Sequence, residues 1–114
     1  MSSRPVDVLL DDILDAVSRI HTYTEGFSKE QFLADGKTQD AVIRNLEIIG
    51  EAASRLPESF RNSHTDADWR AIIGLRHRVV HGYFGVDLEI IWQVLESDLN
   101  SLAASVQAIR NSLG

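Results

Sequence analysis

Between Gly74 and Phe84 the chain reads GLRHRVVHGYF, which sets Arg76, His77, Arg78 and His81 among apolar residues and closes on Gly82-Tyr83. A guanidinium keeps its proton and offers a planar fork of donors, which suits a phosphate or a carboxylate. An imidazole titrates near neutral pH and can take or give a proton. An arginine beside a histidine therefore supplies the parts of metal-free acid–base chemistry at a phosphate. The histidine moves the proton, and the arginine stabilises the charge that develops. His77 and His81 also stand at i,i+4, a spacing that lets two imidazoles bind zinc from one helix face. The metalloprotease form of that spacing needs Glu at position 78, where this chain has Arg78. No third ligand lies nearby, and cationic neighbours disfavour a dication, so neither a metal nor any other cofactor is expected.

A helix must position these groups. Thr65 and Asp68 resemble a cap, opening a helix that should run to about His81, where Gly82 and Gly85 would break it. At 100° per residue, Arg76 falls near the centre of an apolar arc made by Trp69, Ile72, Ile73, Val79 and Val80. His77, His81, Arg70 and Gly74 share the opposite, polar side. A guanidinium on an apolar arc needs a partner. One answer is a carboxylate from a neighbouring helix, with Glu47 and Glu51 available and Asn45 on the apolar side of their helix; snorkelling to solvent is another. A third is that the arc lines a cleft between two chains, where the arginine meets a phosphate. Arg76 and His81 stand about 140° apart on an ideal helix. They meet at one phosphate if the helix ends or bends near Gly82, or if two protomers each contribute one of them. The second arrangement is favoured.

The remaining elements also read as helices. Pro5 suits a first turn, Val6, Leu9, Ile13, Val17 and Ile20 keep helical spacing, and Gly26 is a stop. Ser28 with Gln31 forms a capping-box pattern for a short helix ending near Gly36. A third helix is expected from about Thr38 to Leu56, followed by Pro57 and a short turn to His64. Asp87 can cap the last helix. There Leu88, Trp92, Leu95, Leu99, Leu102, Val106, Ile109 and Leu113 form a heptad seam, used within a bundle or at a dimer interface. The fold expected is all-α, an up-and-down bundle of four to five helices in a single domain over residues 1–114.

Composition narrows the function. The chain has 114 residues and no cysteine, which excludes disulfides and thiolate metal sites. No apolar run approaches the roughly 20 residues that cross a bilayer, and the acidic N-terminus has no signal-peptide core, so a cytoplasmic protein away from the membrane is expected. The net charge of −6 argues against non-specific binding of nucleic acid by the whole surface. The charge is unevenly spread. Trp69 to Val86 contains Arg70, Arg76 and Arg78 and no acid, which gives that segment +3 and leaves −9 for the rest. A solvated basic face and a local anion site both fit this distribution.

These residues carry a resemblance. Arg76-x4-His81-Gly-Tyr83 is similar to the R-x4-H-x-Y motif of the HepT-like toxins of the HEPN superfamily. DAVIRNLEIIGEAASRLP (40–57) and DWRAIIGLRHRVVHGYFGVDLEIIW (68–92) resemble that family's core segments. The resemblance implies a HEPN-like bundle that dimerises with its two motifs facing each other across a cleft. It further implies a metal-independent endoribonuclease, the toxin of a toxin–antitoxin pair. Its partners would be RNA, a second copy of the chain and a nucleotidyltransferase antitoxin, in a dimer or a higher assembly. Arg76 would hold the scissile phosphate, His81 would move the proton, and Tyr83 would receive AMP from the antitoxin. His77, Arg70, Asn45 and Glu51 would support the site or the substrate. By pattern alone Tyr83 reads better as a half-buried aromatic at the bundle edge, and it is the resemblance that makes it a modification site. The alternative function is a non-catalytic HEPN module that binds a nucleotide or docks onto a nucleotidyltransferase.

Overall fold

The first long helix, α1, covers Val6–Thr24 and follows Pro5, whose fixed φ suits helix entry. Gly26 stops the chain from continuing it, with a φ of +76° that a side chain would resist. The computed structural model describes residues 4–85 and 87–113, with 78–85 as backbone only. Throughout the described residues the regular structure is helical, with no strand. The second element, α2 (Lys29–Leu33), carries the expected capping box: Gln31 N–H donates to Ser28 Oγ at 3.2 Å, and Ser28 N–H donates to Gln31 Oε1 at 2.8 Å. Helix α3 (Gly36–Arg55) begins two residues before Thr38, because Asp35 Oδ1 accepts from Thr38 N–H and caps it there. Beyond Pro57 the expected turn is a one-and-a-half-turn helix, α4 (Glu58–Ser63).

Helix α5 (Trp69–Gly85) is capped by Asp68, whose Oδ1 accepts from Ala71 N–H at 3.1 Å. It corrects one expectation, since the helix passes through Gly82 and reaches Gly85. A glycine in a helix interior costs about 1 kcal/mol relative to alanine, a penalty that tertiary context can override. The C-terminal helix corrects another. Instead of one uninterrupted heptad rod, the chain forms α6 (Leu88–Gln93), a π turn at Val94–Asp98, and α7 (Leu99–Ser112). Asp87 precedes α6 but its side chain makes no capping bond. In the π turn Leu99 N–H donates to Val94 O, five residues back. That wider turn brings Val94 and Leu99 onto one face, which a regular α-helix would not do. The buried residues are consequently Ile91, Val94, Leu95, Leu99, Val106 and Ile109, while Leu88, Trp92 and Leu102 are half-buried and Leu113 is exposed.

These helices close around one core. Leu10, Ile13 and Ile20 of α1, Val42, Leu46 and Ile49 of α3, Ile72 and Leu75 of α5, and Leu99 and Val106 of α7 are buried together. Phe32 of α2 plugs one end, its ring centroid 5.4 Å from that of Trp92. Helix α3 packs between α1 and α5, and α7 returns along the other side of α1. The ion pair of Arg110 near the end of α7 with Asp11 near the start of α1, at 3.0 Å, sets those two helices antiparallel. No helix among the described residues is long and apolar enough to cross a membrane.

Candidate active site

Helix α3 turns two faces to its surroundings. Val42, Leu46, Ile49 and Ala53 enter the core. On the far side Arg44, Glu47, Ile48, Glu51 and Arg55 recur at three- and four-residue spacing and form one polar strip. Arg76 of α5 reaches the same strip, and Arg4 and Asp12 at the start of α1 close its other edge. Together they line a cleft of about 420 Å³. Four guanidiniums and three carboxylates face it, so the cleft carries a local excess of positive charge on an acidic chain.

Gly50 explains how Arg76 arrives there. A Cβ at position 50 would overlap Arg76 Cγ, and would lie 3.0 Å from Cδ and 3.3 Å from the Arg76 backbone nitrogen. The absent side chain lets the arginine stem lie against the α3 backbone. Arg76 is therefore not at the centre of a core-facing arc, as helical spacing suggested. Trp69, Ile72 and Leu75 enter the core, and Arg76 lies at the edge of that face with its side chain 45% exposed. Its Nη1 pairs with Glu51 Oε2 at 3.3 Å and donates to Ser54 Oγ at 3.3 Å. Glu51 Oε1 in turn accepts from Arg55 Nε at 3.1 Å, so a single carboxylate ties two guanidiniums together. A carboxylate partner from the neighbouring helix was one of the answers open from the sequence.

The other expected site residues are dispersed. His77 is exposed, next to Arg76 in the chain. Arg70 is exposed and lines a different cleft, with Arg61 and the α4–α5 connection. Asn45 is buried on the core side of α3; its amide donates to Ala41 O at 2.8 Å, and its Oδ1 has no partner among the described residues. It does not line the cleft of Arg76. The side chains of His81 and Tyr83 lie outside the described residues. Arg44 and Arg55 went unnoticed from the sequence, although their spacing with Glu47 and Glu51 gave the signal of a shared polar strip. No three His, Asp or Glu side chains converge as a metal site among the described residues.

A family model described as ribonuclease HepT-like matches residues 13–109, which span every helix described above except the first two turns of α1 and the end of α7. The chain belongs to the HepT-like ribonuclease family. The probable ribonuclease HepT of Thermococcus cleftensis is 41% identical over 101 residues, covering 89% of this chain and 92% of that protein. A candidate RNase of Methanocaldococcus jannaschii is 42% identical over 95 residues, covering 83% of this chain and 78% of its own length. Another, from Caldanaerobacter subterraneus, is 37% identical over 100 residues, covering 88% and 89% respectively. No solved structure matches the chain. The all-helical architecture agrees with membership of that family.

Proposed function

We propose that this HepT-like chain is a metal-independent endoribonuclease, the toxin of a toxin–antitoxin pair, acting through Arg76 and His81. The observation that carries the reading is the half-exposed guanidinium of Arg76 at an arginine-lined cleft, on a chain that belongs to a ribonuclease family. In the reaction the 2′-hydroxyl oxygen of RNA attacks the adjacent phosphorus as its proton passes to a base. The P–O5′ bond breaks, and the departing 5′-oxygen takes up a proton. The products carry a 2′,3′-cyclic phosphate and a 5′-hydroxyl. His81 serves as the proton carrier, and Arg76 holds the phosphoryl oxygens through its planar fork. Because the attacking group is the 2′-hydroxyl, DNA is not a substrate.

Continuity of α5 through Gly82 favours a composite site. With no helix break between them, Arg76 and His81 remain about 140° apart on one helix. Two copies related by a two-fold axis would place the Arg76 of one chain near the His81 of the other. Glu51 balances the charge of Arg76 and exposed His77 beside it supports the substrate, while Arg70, at a separate cleft, would meet RNA away from the scissile phosphate and Asn45 acts only by holding α3 in the core. The antitoxin, a nucleotidyltransferase, acts on Tyr83: the phenolic oxygen attacks the α-phosphorus of ATP, pyrophosphate leaves, and the attached AMP fills the phosphate site.

The test is cleavage of RNA by purified protein in EDTA, beside His81→Ala. Cleavage that survives EDTA and is lost in the variant is the expected result. Activity abolished by EDTA, or equal in the two proteins, overturns the mechanism. The pairing of Arg76 with Glu51 favours a second reading, in which the guanidinium is structural and the chain only binds a nucleotide or docks onto its partner. Absence of cleavage together with tight partner binding would select that reading.

A further inference from the structure

The strip on α3 extends beyond the reach of Arg76. Arg44 and Arg55 lie 11 positions apart on one helix face, roughly 16 Å along the axis. Arg44 is exposed and makes no ion pair among the described residues, although Glu47 lies one turn away and lines the same cleft. Arg55 and Arg76 share a single carboxylate, Glu51, whose side chain is 46% exposed. One acid cannot fully satisfy two guanidinium forks, so both keep donors for a further anion. The chain as a whole is acidic, so a polyanion is drawn to its local basic surfaces, of which this cleft is one.

We infer that Arg44 and Arg55 form a track for the phosphates of single-stranded RNA flanking the one held by Arg76. Glu51 is the counter-ion that the RNA displaces from Arg55 and Arg76 as it settles. This inference rests on the proposed ribonuclease reading and adds the path of the substrate. The track reads backbone and not base, because the strip presents guanidiniums and carboxylates with one aliphatic side chain, Ile48, and no aromatic.

The experiment measures binding of a fluorescently labelled 2′-O-methyl RNA, which cannot be cleaved through its 2′-oxygen, as a function of potassium chloride. Each phosphate contact removed lowers the slope of log K against log salt by about 0.7 on a single strand. Arg44→Gln and Arg55→Gln should each lower the slope by about that amount, and the double variant by about twice as much. Glu51→Gln should tighten binding. Arg19→Gln, an exposed position on α1 outside the cleft, serves as a charge control and should leave the slope as it is. Circular dichroism of each variant verifies the helical fold, and exposed Arg44, which has no ion pair among the described residues, keeps the test valid even if Arg55→Gln unfolds. Wild-type cleavage of RNA with unchanged slopes in both arginine variants overturns the track and leaves the functional reading standing. Wild-type protein that neither binds nor cleaves RNA overturns both.

Discussion

Glu51 holds two guanidiniums at once, and this small fact shapes what single substitutions should do. Arg76 is partly committed to Glu51 and Ser54, yet its side chain remains 45% exposed. If it stabilises a phosphoryl transition state, Arg76→Ala should lower kcat by about 10²–10³, the effect of removing one preorganised donor. Arg76→Lys should recover only part of that loss, because an ammonium does not reproduce a bidentate fork. Rates measured on one RNA substrate for the wild type and both variants decide the matter, and full activity in the lysine variant would count against bidentate binding. His81→Ala should cost on the order of 10²–10⁴, as for a general acid or base.

Gly50 belongs to the same scale. Gly50→Ala gains helix propensity of about 1 kcal/mol, but its Cβ would overlap the Arg76 stem and press on the Arg76 backbone nitrogen. Overpacking of this kind costs about 1–3 kcal/mol, so a net loss of stability is expected. The penalty should shrink in an Arg76→Ala background, where the overlapping Cγ and Cδ are gone. Thermal unfolding of the four proteins in that double-mutant cycle measures the coupling, and equal penalties in both backgrounds would refute the contact.

At the scale of elements, the π turn at Val94–Asp98 behaves as a one-residue insertion that the bundle has absorbed. Deleting exposed Ser97 should convert it to regular α-helix. Val94 and Leu99 would then stand four apart and still share a face, so the deletion should fold with a melting temperature within a few degrees of wild type. Deleting exposed Ala104 in α7 should be far more damaging, because it rotates Val106 and Ile109 out of the core by about 100°. Comparable loss in both deletions would mean that the wide turn is itself needed. The cap of α5 is a milder case: Asp68→Ala should cost about 1 kcal/mol through the loss of the bond to Ala71 N–H.

At the scale of the whole molecule, the proposed composite site requires two chains. Sedimentation should show a dimer at micromolar concentration, and a monomer there would argue against a shared site. Co-expression with the nucleotidyltransferase should add AMP to the peptide containing Tyr83, read by mass spectrometry. Tyr83→Phe should keep cleavage and escape modification; complete silencing of that variant would mean inhibition by docking alone.

Much of this molecule was legible in its sequence because helices are local objects. Apolar spacing marked α1 and α3 and Ser28 with Gln31 marked α2, whereas α5 starts at Trp69 behind Asp68, later than the cap read at Thr65 and Asp68 implied. The motif from Arg76 to Tyr83, with the segments on either side, was enough to identify the family. What the sequence could not determine depended on neighbours. Gly82 reads as a break in isolation, but the helix continues through it, since packing can outweigh a penalty of about 1 kcal/mol. The heptad read along α6 and α7 is interrupted by the wide turn at Val94–Asp98, which puts Val94 on the face of Leu99 and into the core, a backbone detail that apolar spacing does not reveal. Asn45 and Arg76 both looked like polar residues on apolar faces. Tertiary structure buried the first and brought the second to the surface of α3, beside Gly50 and Glu51. Periodicity gives the direction of a side chain from its own helix axis; only the packing of α3 against α5 decides what lies in that direction.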